Sequence, residues 1–220
     1  QGANDVGCNP RFLPGYVAVD DTTGRSRIEA AWGAKLPSQP GKSITEMVSA
    51  MAAGDIKAAI VMADGLAPDQ AGFGDLPGAL SKLDFLVMSD DFPNDLSDAA
   101  DVLLPAATYA EVSGTYTNLA RRVQLVRPGL SLGYEERSGW AALAEIGRAL
   151  GASGFEYASA SSVFDEIAIV CADYSGLSHE RLADAGIQWP CPDGSHPGTQ
   201  ILHATPDDAF KPKFTPMSIR

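Results

Sequence analysis

A chain of 220 residues, 45% hydrophobic and 20% charged, is long enough for one large domain or two small ones and has the composition of a globular protein. Its formal charge of −12, from 28 acidic against 16 basic residues, argues against nucleic acid or an anionic membrane as partner, because both call for clustered Lys and Arg. No apolar run approaches the roughly 20 residues that cross a bilayer, so no direct membrane insertion is expected. Cys8, Cys171 and Cys191 are far apart with no C-x-x-C, which leaves neither an iron–sulfur nor a zinc site in these residues and fits a reduced, cytoplasmic setting.

Residues 1–42 are rich in Gly and Pro and read as a long covering loop with one small helix over 26–32. The first residue is Gln1 rather than Met, and the opening reads as the middle of a longer protein. From Ser43 the pattern sharpens. Ser43-x-x-Glu46 is a capping box, Ile44, Met47, Val48 and Met51 share one helical face, and Gly54 ends the helix. The run Ala58–Met62 is continuously apolar, as in a strand covered on both faces. A helix over 75–82 follows, with Pro77 in its first turn, then strands at 85–88 and 102–104.

This alternation predicts an α/β fold: a parallel-sheet, Rossmann-like three-layer domain with right-handed crossovers and additional C-terminal helices. Ligands of such sheets sit at the carboxyl ends of the strands, here 62–65, 89–92 and 105–107. Residues 109–130 look extended, with a turn at Ser113-Gly114. Helices are expected over 138–150, with Trp140, Leu143, Ile146 and Leu150 inward, and over 162–171 and 178–185. The resulting division is a covering region 1–42, an α/β subdomain 43–135, a helical extension 136–187 and a Pro-rich tail 188–220.

Four groups of residues invite a chemical reading. Gly72-Phe73-Gly74 lacks the spacing and the strand-adjacent position of a phosphate loop and reads as a flexible entry to a helix. Asp64 and Asp90-Asp91 end strands. A carboxylate there either accepts from the N1–H and N2–H₂ of a guanine or caps the turn that follows. Arg121-Arg122, with Arg127, form the one tight basic spot, suited to a phosphate-bearing ligand or to surface ion pairs. His179, His196 and His203 share no metal spacing and read as structural, and no nucleophile–His–acid arrangement is present.

The motifs also carry a family resemblance. Gln1-Gly2-Ala3-Asn4-Asp5-Val6-Gly7 is similar to Q-G-x-x-D-M-G, and Val61-Met62-Ala63-Asp64-Gly65 to a loop containing M-G-E-N-P. Ser89-Asp90-Asp91-Phe92 is similar to the end of V-x-Q-D-x-F. The run from Ala100-Asp101-Val102-Leu103-Leu104-Pro105-Ala106 through Gly114-Thr115-Tyr116-Thr117-Asn118 to Arg121-Arg122-Val123-Gln124 resembles A-D-V-V-L-P-A…G-T-F-T-N-x-E-R-R-V-Q. Trp189-Pro190-Cys191-Pro192 continues it. Together these resemble the carboxyl-terminal part of the cofactor-binding core of molybdopterin oxidoreductase large subunits of the formate dehydrogenase alpha type.

The resemblance implies a bis-(molybdopterin guanine dinucleotide) cofactor with Mo or W in the intact parent, with Met62, Asp64, Asp90 and Asp101 as its neighbours. It also implies, as partners, the remaining domains of the large subunit and electron-transferring iron–sulfur or flavin subunits. No catalytic residue or metal ligand falls in this stretch; in the family those lie upstream. The sequence departs from the pattern at Ala63-Asp64-Gly65-Leu66, which loses Gly, Glu and Pro, and at Asn94 and Leu96, which stand where the family has threonines. Such losses are expected of an alternative, a cofactor-free structural segment of the large iron–sulfur subunit of a complex I NADH–quinone oxidoreductase.

Overall fold

A computed structural model describes residues 1–62, 66, 72–131 and 137–202. The opening segment carries more regular structure than its Gly and Pro content suggests. Helix α1 (Gly2–Asp5) leads to an antiparallel hairpin of β1 (Phe12–Leu13) and β2 (Val17–Ala18), which turns on Gly15 at φ 71°. Helix α2 (Thr22–Trp32) then starts earlier than expected, because the Asp21 carboxylate accepts from the N–H groups of Thr23 and Gly24. Gly33, left-handed at φ 62°, ends it.

Helix α3 (Ile44–Ala52) begins on the predicted capping box: Ser43 Oγ accepts from the Glu46 N–H, and the Glu46 carboxylate accepts from the Ser43 N–H at 2.7 Å. Strand β3 (Ala58–Met62), helix α4 (Leu76–Leu80), β4 (Phe85–Asp90) and β5 (Val102–Pro105) follow. The three strands pair in parallel in the order β3-β4-β5, with Val61 beside Met88 and Met88 beside Leu103. The α/β class and the parallel sheet are therefore as predicted. Helix α4 crosses from β3 to β4, while β4 and β5 are joined through a 3₁₀ turn at Ser97–Ala99.

Val48 and Met51 of α3 and Leu76, Ala79 and Leu80 of α4 pack on Leu86 and Met88 of β4 and against Ala59 and Val61 of β3, forming a first core. The opposite face of the sheet is partly open among the described residues: Ile60, Phe85 and Val102 are 48%, 47% and 37% exposed, while Val87 and Ser89 in the centre are buried. The expectation that Ala58–Met62 is covered on both faces is thus corrected. A continuous apolar run makes two-sided burial affordable, but it does not say which chain segment supplies the second cover.

A second sheet joins β6 (Gly114–Thr117), β7 (Arg122–Val126) and β8 (Ile187–Gln188), all antiparallel, in the order β6-β7-β8. The hairpin turns at 118–121 rather than at Ser113-Gly114. Asn118 Oδ1 accepts from the Arg122 N–H, and Arg121 takes the left-handed backbone (φ 63°) that a tight turn needs. Helices α5 (Gly139–Ala149) and α6 (Ala160–Val170) follow.

In α5 the buried positions are Ala142 and Ala144, and Leu143 and Leu150 are 41% and 81% exposed, contrary to the inward face predicted. Close approach is the reason: a Cβ at Gly147 would meet the Phe155 ring at 3.0 Å, so this helix packs through its small residues. No helix forms over 178–185, where the chain makes successive turns. Leu177 and Leu182 are nevertheless buried, with Phe164, Cys171, Tyr174, Trp189 and Cys191, in a second core. The opening segment packs there as well, since Arg27 of α2 donates to the Val170 carbonyl at 3.4 Å. Among the described residues no helix is long and apolar enough to cross a membrane.

Candidate functional site

The carboxyl ends of the parallel strands open onto a cleft of about 470 Å³, within the range usual for small-molecule sites. Met62 ends β3 on its floor, and Ser89 and Asp91 stand at the end of β4. Tyr109 and Tyr116 line one wall, and Ser138 to Trp140, the start of α5, line the other. A short extension of the sheet edge puts α5 there: Ala106 bridges to Arg137, whose carbonyl accepts from the Ala107 N–H at 2.9 Å.

Two properties define what this cleft can hold. Ser138 makes no side-chain capping bond, so among the described residues the first N–H groups of α5 have no side-chain acceptor, and they stand at the cleft with the positive end of the helix dipole. Among the described residues Asp91 is the only charged side chain on the lining, the rest being hydroxyl, aromatic, thioether, aliphatic or glycine. An anionic group fits at the α5 end. A flat ring with hydrogen-bond donors fits at the Asp91 end, against the exposed Tyr109 and Tyr116.

The four residues singled out by motif fall in different places. Met62 is on the cleft, with its Cε 3.3 Å from where a Cβ would stand on Gly139. Asp64 lies outside the described residues. Asp90 is beside the cleft but turned from it, only 6% exposed. Its Oδ1 accepts from the Asp91 N–H at 2.9 Å and its Oδ2 from Asn94 Nδ2 at 2.8 Å, so it caps its own turn. Burial, and then the neighbouring Asp91, hold the Asp90 carboxyl above the usual carboxylate range.

Asp101 stands at the other end of the sheet. It precedes β5, and its Oδ2 accepts from the Leu86 N–H at 2.7 Å, closing the amino edge rather than the cleft. A motif match places a residue next to a strand; only the direction of the strand says at which end. Asp91 belongs to the strand-end pair that the sequence marks as a possible guanine contact or turn cap, whereas Tyr109, Tyr116 and the α5 start carry no such mark. The signal available for the last was Ser138 itself, a helix-start residue following a strand edge.

Among the described residues the basic spot makes no ion pair and is turned to main-chain carbonyls. Arg121 donates to the carbonyls of Trp189, Thr199 and Gln200 and lies 5.4 Å over the Trp189 ring. Arg122 donates to the Gly186 carbonyl at 2.6 Å and Arg127 to that of Ala183 at 3.0 Å. His179 packs on Phe164 with ring centres 5.4 Å apart, and burial lowers its pKa. His196 Nδ1 accepts from the Gly198 N–H, and His203 lies outside the described residues. Gly72 and Gly74 adopt left-handed angles of 90° and 72° ahead of α4, as a loop entering a helix needs.

A parallel sheet with a ligand-sized cleft over its carboxyl ends is the arrangement in which α/β domains hold ligands. The sequence model of the family described as Molybdopterin oxidoreductase matches residues 1–149. The F420-dependent formate dehydrogenase subunit alpha of Methanocaldococcus jannaschii is 37% identical over 92% of this chain and 30% of its own length. The assimilatory nitrate reductase catalytic subunit of Bacillus subtilis is 35% identical over 92% of this chain and 31% of its own. Formate dehydrogenase H of Escherichia coli is 31% identical over 97% and 29%.

The chain belongs to the molybdopterin oxidoreductase family, and it spans about a third of the length of these relatives. The structure of acetylene hydratase from Pelobacter acetylenicus shares the fold, with a TM-score of 0.53 at 17% identity over 74% of this chain and 24% of that one.

Proposed function

We infer that this chain forms one wall of the cofactor site of a formate dehydrogenase-like oxidoreductase and holds the nucleotide portion of a molybdopterin guanine dinucleotide. The observation that carries this is the cleft over the carboxyl ends of β3–β5, closed by the uncapped start of α5. When bound, the cofactor would supply a redox-active Mo or W. Everything else on this wall is binding and orientation.

The N–H groups at Gly139 and Trp140 donate to phosphate oxygens, with the hydroxyls of Ser89 and Ser138 as further donors within the cleft. Asp91 accepts from the donor edge of guanine, and being the lone charge it keeps phosphate at the other end. Asp90 holds the turn that presents Asp91. The replaced threonines do not empty the site of structure: Asn94 bonds Asp90, and Leu96, 1% exposed, joins the first core.

Formate or a comparably small substrate, the remaining domains of a large subunit and electron-transferring partner subunits complete the proposed enzyme. The free cysteines, two of them buried, suit a reducing cytoplasmic setting.

Calorimetry with guanosine diphosphate tests the reading. Asp91→Ala should weaken binding by about tenfold to a hundredfold, the worth of about 1.5–3 kcal/mol for hydrogen bonds to a charged group. Adenosine diphosphate should bind wild type and variant alike. No heat at millimolar nucleotide, in this chain and in a longer polypeptide that contains it, would turn the assignment toward the cofactor-free scaffold.

A further inference from the structure

Behind the cleft, and outside everything assigned to it so far, lies a buried carboxylate with no cation beside it. Asp5 is 1% exposed, and no Lys, Arg or His stands within ion-pair distance among the described residues. Its oxygens are instead ringed by neutral donors. Oδ1 accepts from the Tyr16 hydroxyl at 2.7 Å and from Gln1 Nε2 at 2.8 Å, and Oδ2 accepts from the Tyr174 hydroxyl at 2.8 Å. Both tyrosines are held in the protonated form: Tyr16 is pushed up to about 12, first by its bond to Asp5, and Tyr174 is raised, first by burial. A group that only accepts is the one that matches three donors.

The chain of bonds continues to the cleft. Tyr174 Oη lies 3.0 Å from Thr117 Oγ1, and because the single Tyr174 proton is committed to Asp5, Thr117 is the donor of that pair. Thr117 belongs to β6, an edge strand that only β7 holds along its length. Its other side abuts α1 closely: a Cβ on Gly2 would stand 3.0 Å from Thr117 Oγ1. Successive residues of a strand face opposite ways, so the neighbour of Thr117, Tyr116, points into the cleft, where it forms part of the wall.

We propose that Asp5 is a positioning residue for the cleft: through Tyr174 and Thr117 its carboxylate sets the placement of β6, and with it the Tyr116 side chain that lies along the bound nucleotide. The ligand half of this statement rests on the function inferred above; the structural half does not. The two oxygens of the carboxylate have separate tasks. Oδ2 serves β6 through Tyr174, whereas Oδ1 ties down the turn carrying Tyr16 and, among the described residues, accepts no hydrogen bond from Tyr174 or β6.

That division supplies the test. A fluorotyrosine label at Tyr116, read by fluorine NMR in the longest polypeptide that contains these residues, reports its placement without any ligand. Thr117→Val keeps the shape and removes the hydroxyl, and it should shift or broaden the Tyr116 signal; Asp5→Asn should do the same, and Thr117→Ser should restore it. Tyr16→Phe removes a bond to the same carboxylate on the wrong oxygen and should lower the melting temperature while leaving the Tyr116 signal in place. Guanosine diphosphate affinity should fall about threefold to tenfold with Thr117→Val and stay unchanged with Tyr16→Phe. An unmoved Tyr116 signal in Thr117→Val, or an equal shift in Tyr16→Phe, overturns the proposal. A signal that moves as expected in a protein that binds no nucleotide upholds the positioning role and counts against the cofactor site instead.

Discussion

Arg121, Arg122, Arg127 and Arg181 each present a guanidinium to main-chain carbonyls between residues 176 and 200. That segment has little regular structure to satisfy its own carbonyls, and a guanidinium offers five donors in a rigid fork. Arg121→Ala should therefore cost about 2–4 kcal/mol in urea unfolding, from lost charge-assisted bonds and the cation–π contact with Trp189. Arg121→Lys should recover less than half of that, because an ammonium cannot span three carbonyls. At Asp90 the sign is reversed, since burial raises its pKa above that of the unfolded chain. The folded state then binds the proton more tightly, so this group favours folding at low pH, and the advantage is lost as pH rises through the folded value. Asp90→Asn escapes that loss. Its stability relative to wild type should improve from pH 4 to pH 7 in parallel urea titrations, and a flat difference would show that Asp90 ionises freely.

Among the elements, α3 depends most on local chemistry. Its capping box satisfies two N–H groups at the start, and the helix delivers Val48 and Met51 to the first core. Ser43→Ala should lower stability by about 1 kcal/mol, while Ser43→Asp, which restores an acceptor, should recover most of it in the same thermal melts. The stretch 178–185 shows the opposite dependence. Its composition suits a helix, yet the Leu182 N–H to Ser178 carbonyl bond stands without a helix around it. Arg181 is drawn instead to the carbonyls of Gly176, Asp193 and His196, and Gly176 sits so near Asp193 that a Cβ would stand 2.1 Å from its carbonyl oxygen. Contacts distant in sequence outweigh a weak helical preference there.

For the whole molecule, the exposed apolar side chains on one face of the parallel sheet, among the described residues, bear on behaviour in solution. Ile60 and Val102 flank the buried Val87 in one row across the three strands, and Phe85 stands two residues before Val87 on the same face, beside Ala58. The 220-residue chain should bind a hydrophobic dye such as ANS through this patch. Ile60→Thr with Phe85→Thr should lower the dye fluorescence by half or more while shifting stability by about 1 kcal/mol at most, because both side chains are already half in water. Undiminished fluorescence would place the exposed apolar surface elsewhere. The sequence by itself determined the capping box at Ser43, the three apolar strands and their parallel class, the stop at Gly54, and the family, because each is written in residues close together along the chain. The tertiary structure alone decided which sheet face is covered, where the 118–121 turn falls, which face of α5 is inward, and that Asp101 and Asp90 lie at opposite ends of the sheet. It also decided that the arginines serve carbonyls and that α5 opens on the cleft. Each of these depends on where a distant segment stands, as when Gln188 pairs with Arg122 or Arg137 with Ala106, and no local periodicity records such distances.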